Sequence, residues 1–188
     1  MKIRTMTLAC VAMLALATLA VAQQSSHMVF LVRHAEATST AQDAALTPAG
    51  EKRAECLAKT LADADIKQIY TSDFKRTQQT AAPLATRLGV KATIVPTSNS
   101  DALVRDILQA ADGNVLVVWH SDRLPGLIQS LQAGTVKAIA GNEFDRLVVV
   151  NIEQGKASPV TTLRYCEAGA PANQAPSGRM MTPKADKK

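Results

Sequence analysis

Aromatic residues are scarce in this sequence: one Trp, two Tyr and three Phe among 188 residues. The loops expected to line a binding rim, 38–46, 96–101 and 134–144, are small and polar, with neither an aromatic platform nor a basic cluster. Cysteine is equally rare, and Cys56 and Cys166 have no histidine pair near them in sequence, which excludes the usual zinc-site spacing. The nine glycines do not gather into a phosphate-binding loop, and no metal motif is present. No Gly-x-Ser-x-Gly elbow surrounds any serine, which removes that route to a serine nucleophile. Charge of one sign is missing from the body of the chain. The formal +5 arises at the two ends, leaving 15 basic against 15 acidic residues between them. A balanced body gives no electrostatic footprint for nucleic acid.

The one long apolar run lies at the N-terminus. Lys2 and Arg4 precede seventeen uncharged residues, Met6 to Ala22, which end in Ala20-Val21-Ala22. Positive charge, apolar run and small residues in that order predict a secretory signal over 1–22, with an uncleaved membrane anchor as the alternative. Removal of the signal predicts a periplasmic protein with no stable membrane insertion. The stretch 171–188 carries Arg179, Lys184, Lys187 and Lys188 among Pro, Ser and Gly, and reads as a disordered basic tail. The domain proper is then 23–170. In an oxidising compartment Cys56 and Cys166 are able to pair, but sequence cannot set their separation.

Between the ends, apolar runs alternate with helical patterns. Strands are expected at 29–32, 67–72, 92–96 and 114–120. Thr47-Pro48 is an N-cap followed by proline at the first helical position. Ala54, Leu57, Ala58 and Leu61 then share a helix face. A second helix runs from Phe74 to Leu88, stops at Gly89, and is expected to kink or break at Pro83. Further helices are expected at about 101–111 and from Leu124 towards Gly134. "RLVVVNI" and "PVTTLRYC" close the domain as an antiparallel pair around the Gly155 turn. Alternation of this kind predicts a mostly parallel sheet covered by helices on both faces.

Ligands of such sheets bind beyond the carboxyl ends of the strands. There the first strand delivers Arg33-His34, the second Thr71-Ser72 with Arg76 one helical turn on, and the fourth His120-Ser121. Two guanidinium forks and two imidazoles suit a phosphoryl group, and a neutral imidazole is able to attack phosphorus. His27, by contrast, reads as a linker residue.

Four segments carry a family resemblance in order. "LVRHAEA" resembles the Arg-His-Gly signature of the histidine phosphatase superfamily, which includes the phosphoglycerate mutases. "LTPAGEKRAECLAKTL" resembles its next helix, "IYTSDFKRTQQTAAPLATRLG" its Ser-x-x-x-Arg-x-x-Gln-Thr segment, and "VLVVWHSD" its second-histidine strand. The resemblance implies a three-layer α/β/α sandwich with one antiparallel strand. It implies His34 as the phosphorylated nucleophile, Arg33 and Arg76 as phosphate ligands, and His120 as a donor to the phosphoryl group in flight. Ser72 is a further substrate-binding candidate, although capping the helix that presents Arg76 is the simpler role.

The sequence departs from the family pattern at three points. Ala35 and Trp119 stand where glycines are usual, and alternation aims Trp119 away from His120. The acidic proton donor has no clear match. Asp101 is the nearest candidate, with helix capping as its alternative role, and Asp122 and Glu36 are weaker ones.

The function expected is that of an exported, metal-independent and cofactor-free phosphatase. Its substrate would be a phosphorylated small molecule or a phosphoprotein. A mutase and a non-catalytic phosphoryl-ligand binder are the alternatives. The mutase is disfavoured because little room exists between Pro96 and Val115 for a specificity insert.

Overall fold

The strand richest in buried apolar residues, β4 (Asn114–Trp119), lies inside a seven-stranded sheet ordered β3-β2-β4-β1-β5-β6, with β7 also paired to β5. The other strands are β1 (Ser26–Arg33), β2 (Ile66–Ser72), β3 (Ala92–Val95), β5 (Arg146–Glu153), β6 (Lys156–Ala157) and β7 (Thr161–Arg164). The helices are α1 (Pro48–Thr60), α2 (Lys75–Leu88), α3 (Ser100–Leu108) and α4 (Leu124–Ser130). This computed structural model describes residues 26–110 and 112–166. The expected signal at 1–22 and basic tail at 171–188 lie outside them.

β1, β2, β3 and β4 pair in parallel, and β5 pairs antiparallel with β1, β6 and β7. One strand, β5, therefore runs against the other six. The expected closing pair is split. The short β6 follows the turn at Gln154 and Gly155, and β7 then takes up the remaining edge of β5. Every residue of β7 is exposed, so no apolar alternation marks it.

Side-chain alternation sorts the core into two layers. Val29, Leu31, Val115, Val117 and Trp119 point to one face, where Leu103 and Ile107 of α3 and Leu124, Leu127 and Ile128 of α4 cover them. Phe30, Val32, Leu116 and Val118 point to the other, against Leu57 and Ala58 of α1 and Ala81 and Leu84 of α2. Each such aliphatic side chain taken from water contributes about 1.5–3 kcal/mol, so either layer holds its helices firmly. Trp119 is 1% exposed and packs under α3 and α4, as strand alternation requires.

Local signals act as expected at α1. Thr47 caps it by accepting from the Gly50 amide, and Pro48 opens it. Gly89 ends α2 in the left-handed region, φ 66°.

Two expectations are corrected, the break at Pro83 and the role of His27. Pro83 neither breaks nor ends α2, which continues from Lys75 to Leu88. The bond from residue 83 to the Gln79 carbonyl is lost, but buried Thr80, Ala81 and Leu84 hold the helix on both sides of it. Gln79 and Pro83 also line an open groove. His27 is not a linker residue. It belongs to β1, is buried, and bonds through Nε2 to the Ile107 carbonyl at 2.9 Å.

Candidate active site

The register of the sheet brings the two histidines together. Arg33 lies opposite Trp119 in the β1/β4 pairing, and the His34 amide donates to the Trp119 carbonyl at 2.9 Å. The ladder thus runs one residue past the strands and fixes His34 and His120 side by side. Their rings meet edge to face, 5.5 Å between centroids, and both are buried.

Each ring has its tautomer set by its neighbours. His34 Nδ1 lies 2.7 Å from the Ala35 carbonyl, which can only accept. Nδ1 therefore carries the hydrogen, and Nε2 keeps its lone pair. His120 is arranged the other way. Its Nδ1 faces Arg76 Nη2 at 3.4 Å, and arginine can only donate. The hydrogen is then on Nε2, which donates to Ser72 Oγ at 2.8 Å. Ser72 also accepts from the Phe74 amide at 3.2 Å and donates to Thr77 Oγ1 at 2.9 Å. Thr77 in turn donates to the Phe74 carbonyl at 2.7 Å. Ser72 is therefore a fully engaged support of His120, and its Oγ is neither a free nucleophile nor the cap of α2. The N-cap is Phe74, which has no side-chain capping bond.

Burial first, and then the charges of Arg76 and Arg33, push His34 down to about 4 against the raising effect of its Ala35 bond. Burial, His34 and Arg76 likewise bring His120 to about 4. Both imidazoles are neutral at pH 7.

The two arginines are held by loop carbonyls. Arg33 Nη1 donates to Ala140, Gly141 and Glu143 at 2.9–3.1 Å, and its guanidinium lies 4.0 Å over Phe144. Arg76 Nη1 donates to Thr40 and Ala41, and its guanidinium lies 4.4 Å over Phe74. The Nε–H of each arginine is buried without a partner. Two orphaned cationic donors beside two neutral imidazoles suit an anion with several oxygens, since an unpaired buried donor costs about 1–3 kcal/mol.

Phe144 and Phe74 correct the expectation of a site without aromatic walls. Phe144 lies 6.2 Å from the His34 ring, and Phe74 4.8 Å from that of His120. Two residues escaped the sequence reading although both lie in the "RTQQT" run. Thr80 Oγ1 accepts from the Ala35 amide at 2.9 Å, and Gln79 Oε1 from the Leu46 amide at 2.9 Å. They seat the turn after His34 and the loop that holds Arg76.

The carboxylates sort differently from expectation. Asp101 is exposed in the first turn of α3 and makes no bond to the site residues. Glu36 is tied to Arg53 by bonds of 2.7–3.0 Å to both its oxygens. Burial raises the Glu36 carboxyl, and Arg53, its own amide and Arg33 together bring it below the usual carboxylate range. Asp122 is exposed too, 3.9 Å from Arg123, but unlike Asp101 its charge acts on Arg33, His34, Arg76 and His120 alike. It stands in the turn closed by the Arg123 and Leu124 amides on the His120 carbonyl. Among the described residues no group of three or more His, Cys, Asp or Glu is placed to hold a metal ion.

Residues 29–98 match the model of the histidine phosphatase superfamily (branch 1). Over 75 residues the chain is 40% identical to the "Probable phosphoglycerate mutase GpmB" of Yersinia enterocolitica. That match takes 36% of this chain and 35% of the relative, so the chain spans about a third of that relative's length.

The fold is similar to that of the protein histidine phosphatase SixA complexed with tungstate, with a TM-score of 0.58 and 18% identity over 73% of this chain and 96% of the other. It is also similar to a mycobacterial glucosyl-3-phosphoglycerate phosphatase (0.54, 16%, 74% and 98%) and to the alpha-ribazole phosphatase of Shigella flexneri (0.52, 17%, 70% and 94%). The resemblance to the histidine phosphatase superfamily therefore stands in sequence over 29–98, and in fold over the α/β domain.

Proposed function

We propose that this chain is a phosphatase that works through a phosphohistidine on His34. The observation that carries the reading is the His34 ring itself: locked as the Nδ1–H tautomer, neutral, and beside two arginines with unpartnered Nε–H groups. A neutral imidazole held at the end of a buried strand is a nucleophile pre-aimed at phosphorus. Arg33 and Arg76 hold the phosphoryl oxygens and offset the charge that would otherwise repel the attacking lone pair. His34 Nε2 displaces the leaving group, and water then releases phosphate from the imidazole. A bound dianion favours protonation of His120 at Nδ1, which turns that nitrogen from an acceptor of Arg76 into a donor to phosphoryl oxygen.

Asp122 supplies the proton to the leaving oxygen, in place of Asp101. Between Val95 and Asn114 the described chain holds one nine-residue helix, α3, which favours hydrolysis over a mutase with a large specificity insert. Taken with the N-terminal apolar run, the setting we propose is periplasmic, acting on a phosphorylated small molecule or phosphoprotein that reaches that compartment.

The test is a panel holding an aryl phosphate, a phosphohistidine peptide and phosphoglycerates. Release of inorganic phosphate supports the reading. Phosphate moved to a second position of the same sugar acid supports the mutase, and tight phosphate binding without turnover supports the binder.

A further inference from the structure

The segment that ends the described chain touches both walls of the His34 site. Cys166 follows β7 and is disulfide-bonded to Cys56 of α1, 110 residues away, with Cα atoms 6.1 Å apart. Its carbonyl accepts from Arg53 Nη1 at 3.2 Å, while the other nitrogens of that guanidinium hold Glu36, two residues beyond His34. The Glu36 carbonyl receives the Thr47 amide at 2.9 Å and so closes the 36–47 loop that reaches Arg76. This is the first wall.

The second wall hangs on the two residues before Cys166. The Tyr165 amide donates to the Asp145 carbonyl at 2.9 Å, and Arg164 pairs with Asp145 and with Glu143. Glu143 and Phe144 are the residues set against Arg33. What keeps this segment in place is small. β7 is a four-residue, fully exposed strand paired on one side only, so beyond it the segment is held by the disulfide, by the ion pairs of Arg164 and by the buried Tyr165 ring. Cys56 is half-buried and lines an open groove of about 1200 Å3 between α1 and α2, which gives a small dithiol its approach. Its walls include Pro48, Lys59, Gln79 and Pro83.

We propose that Cys56–Cys166 is a redox modification site whose reduction by a dithiol loosens both walls of the His34 site while the sheet stays folded. A thiolate of the dithiol attacks Cys56 sulfur through the groove, forms a mixed disulfide and expels Cys166 as a thiolate, which takes up a proton. The second thiol of the reductant resolves the mixed disulfide. Both cysteines end as thiols, the dithiol ends as a disulfide, and two electrons have passed to the protein. The link then fails at Cys166, Arg53 loses its carbonyl partner, and the Arg164–Tyr165 clamp on 143–145 is free to fray. The core need not follow, since of this segment only Tyr165 and Cys166 join the second layer and none joins the first. A cross-link closing so long a loop also stabilises the whole fold. The measurement must therefore separate a local from a global effect.

The consequence for turnover rests on the proposed phosphatase reading, but the loosening does not. The full chain, oxidised or treated with dithiothreitol, is followed by amide hydrogen exchange at 10 °C and by aryl-phosphate turnover. The proposal expects exchange at least tenfold faster at the amides of Thr38, Thr47 and Tyr165 on reduction. Val117 and Leu31, on strands that do not touch β7, should be unchanged, and protection should return on reoxidation. Arg53→Lys keeps the disulfide but loses the planar fork, so it should speed exchange at Thr47 even when oxidised. Unchanged protection on reduction overturns the proposal. So does loss of protection throughout β4 and β5, which would make the bond a global staple. A turnover rate unmoved by reduction, with the walls loosened, overturns the redox control of activity. An oxidised protein without any turnover refutes the phosphatase reading and leaves the exchange result to decide the clamp.

Discussion

His34 and His120 stand edge to face, 5.5 Å apart, with opposite tautomers. His34 donates its Nδ1 hydrogen to the Ala35 carbonyl, just past its strand, and leaves Nε2 free. His120 gives its hydrogen to Ser72 and turns Nδ1 towards Arg76. On the proposed reading one ring attacks and the other takes a proton once an anion arrives. The adjacency follows from sheet register alone, since the Arg33–Trp119 pairing leaves no other place for the next residue of each strand.

The pH profile should report this burial. Attack needs neutral His34, and burial with Arg76 and Arg33 holds its pKa at about 4, below the ordinary value near 6.5. The kcat/KM, corrected for ionisation of the substrate, should stay level from pH 7 to about pH 5 and fall only towards pH 4. An acid limb centred near 6.5 would show that the ring is solvated. Stability follows the same groups. Both histidines bind protons more readily unfolded, so stability is full above about pH 6.5 and declines as pH falls towards 4.

Asp122 should matter in proportion to the difficulty of the leaving group. Asp122→Asn should slow hydrolysis of an alkyl phosphate about 100-fold, within the range of general acid catalysis. It should barely change a nitrophenyl phosphate, whose phenolate leaves unaided. Equal losses on both substrates would make Asp122 an electrostatic residue only, and a loss confined to Asp101→Asn would return the acid to α3.

Most of the framework is legible in the sequence because its signals are local. β1 and β4 are buried on both faces, so they read as unbroken apolar runs. Thr47-Pro48 and Gly89 mark helix ends by their own chemistry. β7 falls inside the expected strand "PVTTLRYC" and pairs antiparallel with β5, whereas the two-residue β6 escapes because it is too short to show any alternation. The four site residues follow from the strand-end rule and the motifs together. What surrounds them does not. Carbonyls of 140–143 around Arg33, and Phe144 beneath it, depend on how a loop without regular structure folds back. Asp122 is favoured over Asp101 by the path of a turn, and His27 finds its partner 80 residues away in α3. No nearby residue signals either.

Gly50 links α1 to the site by close approach. A Cβ there would overlap the backbone carbonyl of Glu36, which cannot swing aside as a side chain would. Gly50→Ala should cost about 1–3 kcal/mol as an overpacking change and lower the melting temperature by several degrees. The displaced Glu36 should also reduce kcat, because His34 lies two residues before it. A variant with unchanged melting and kcat would mean that α1 shifts freely on the sheet.

The central claim is that His34 carries the phosphate, and rapid acid-or-alkali quench with labelled substrate tests it most directly. Phosphohistidine is acid-labile and base-stable, the reverse of a phosphoserine's behaviour. The parent chain should yield an acid-labile, alkali-stable phosphoenzyme, and His34→Ala should yield none and not turn over. His120→Ala should slow turnover severely while the two arginines retain some affinity for inorganic phosphate. Label that persisted in His34→Ala and vanished in Ser72→Ala would contradict the account, moving the nucleophile to a hydroxyl placed here only as a support for His120.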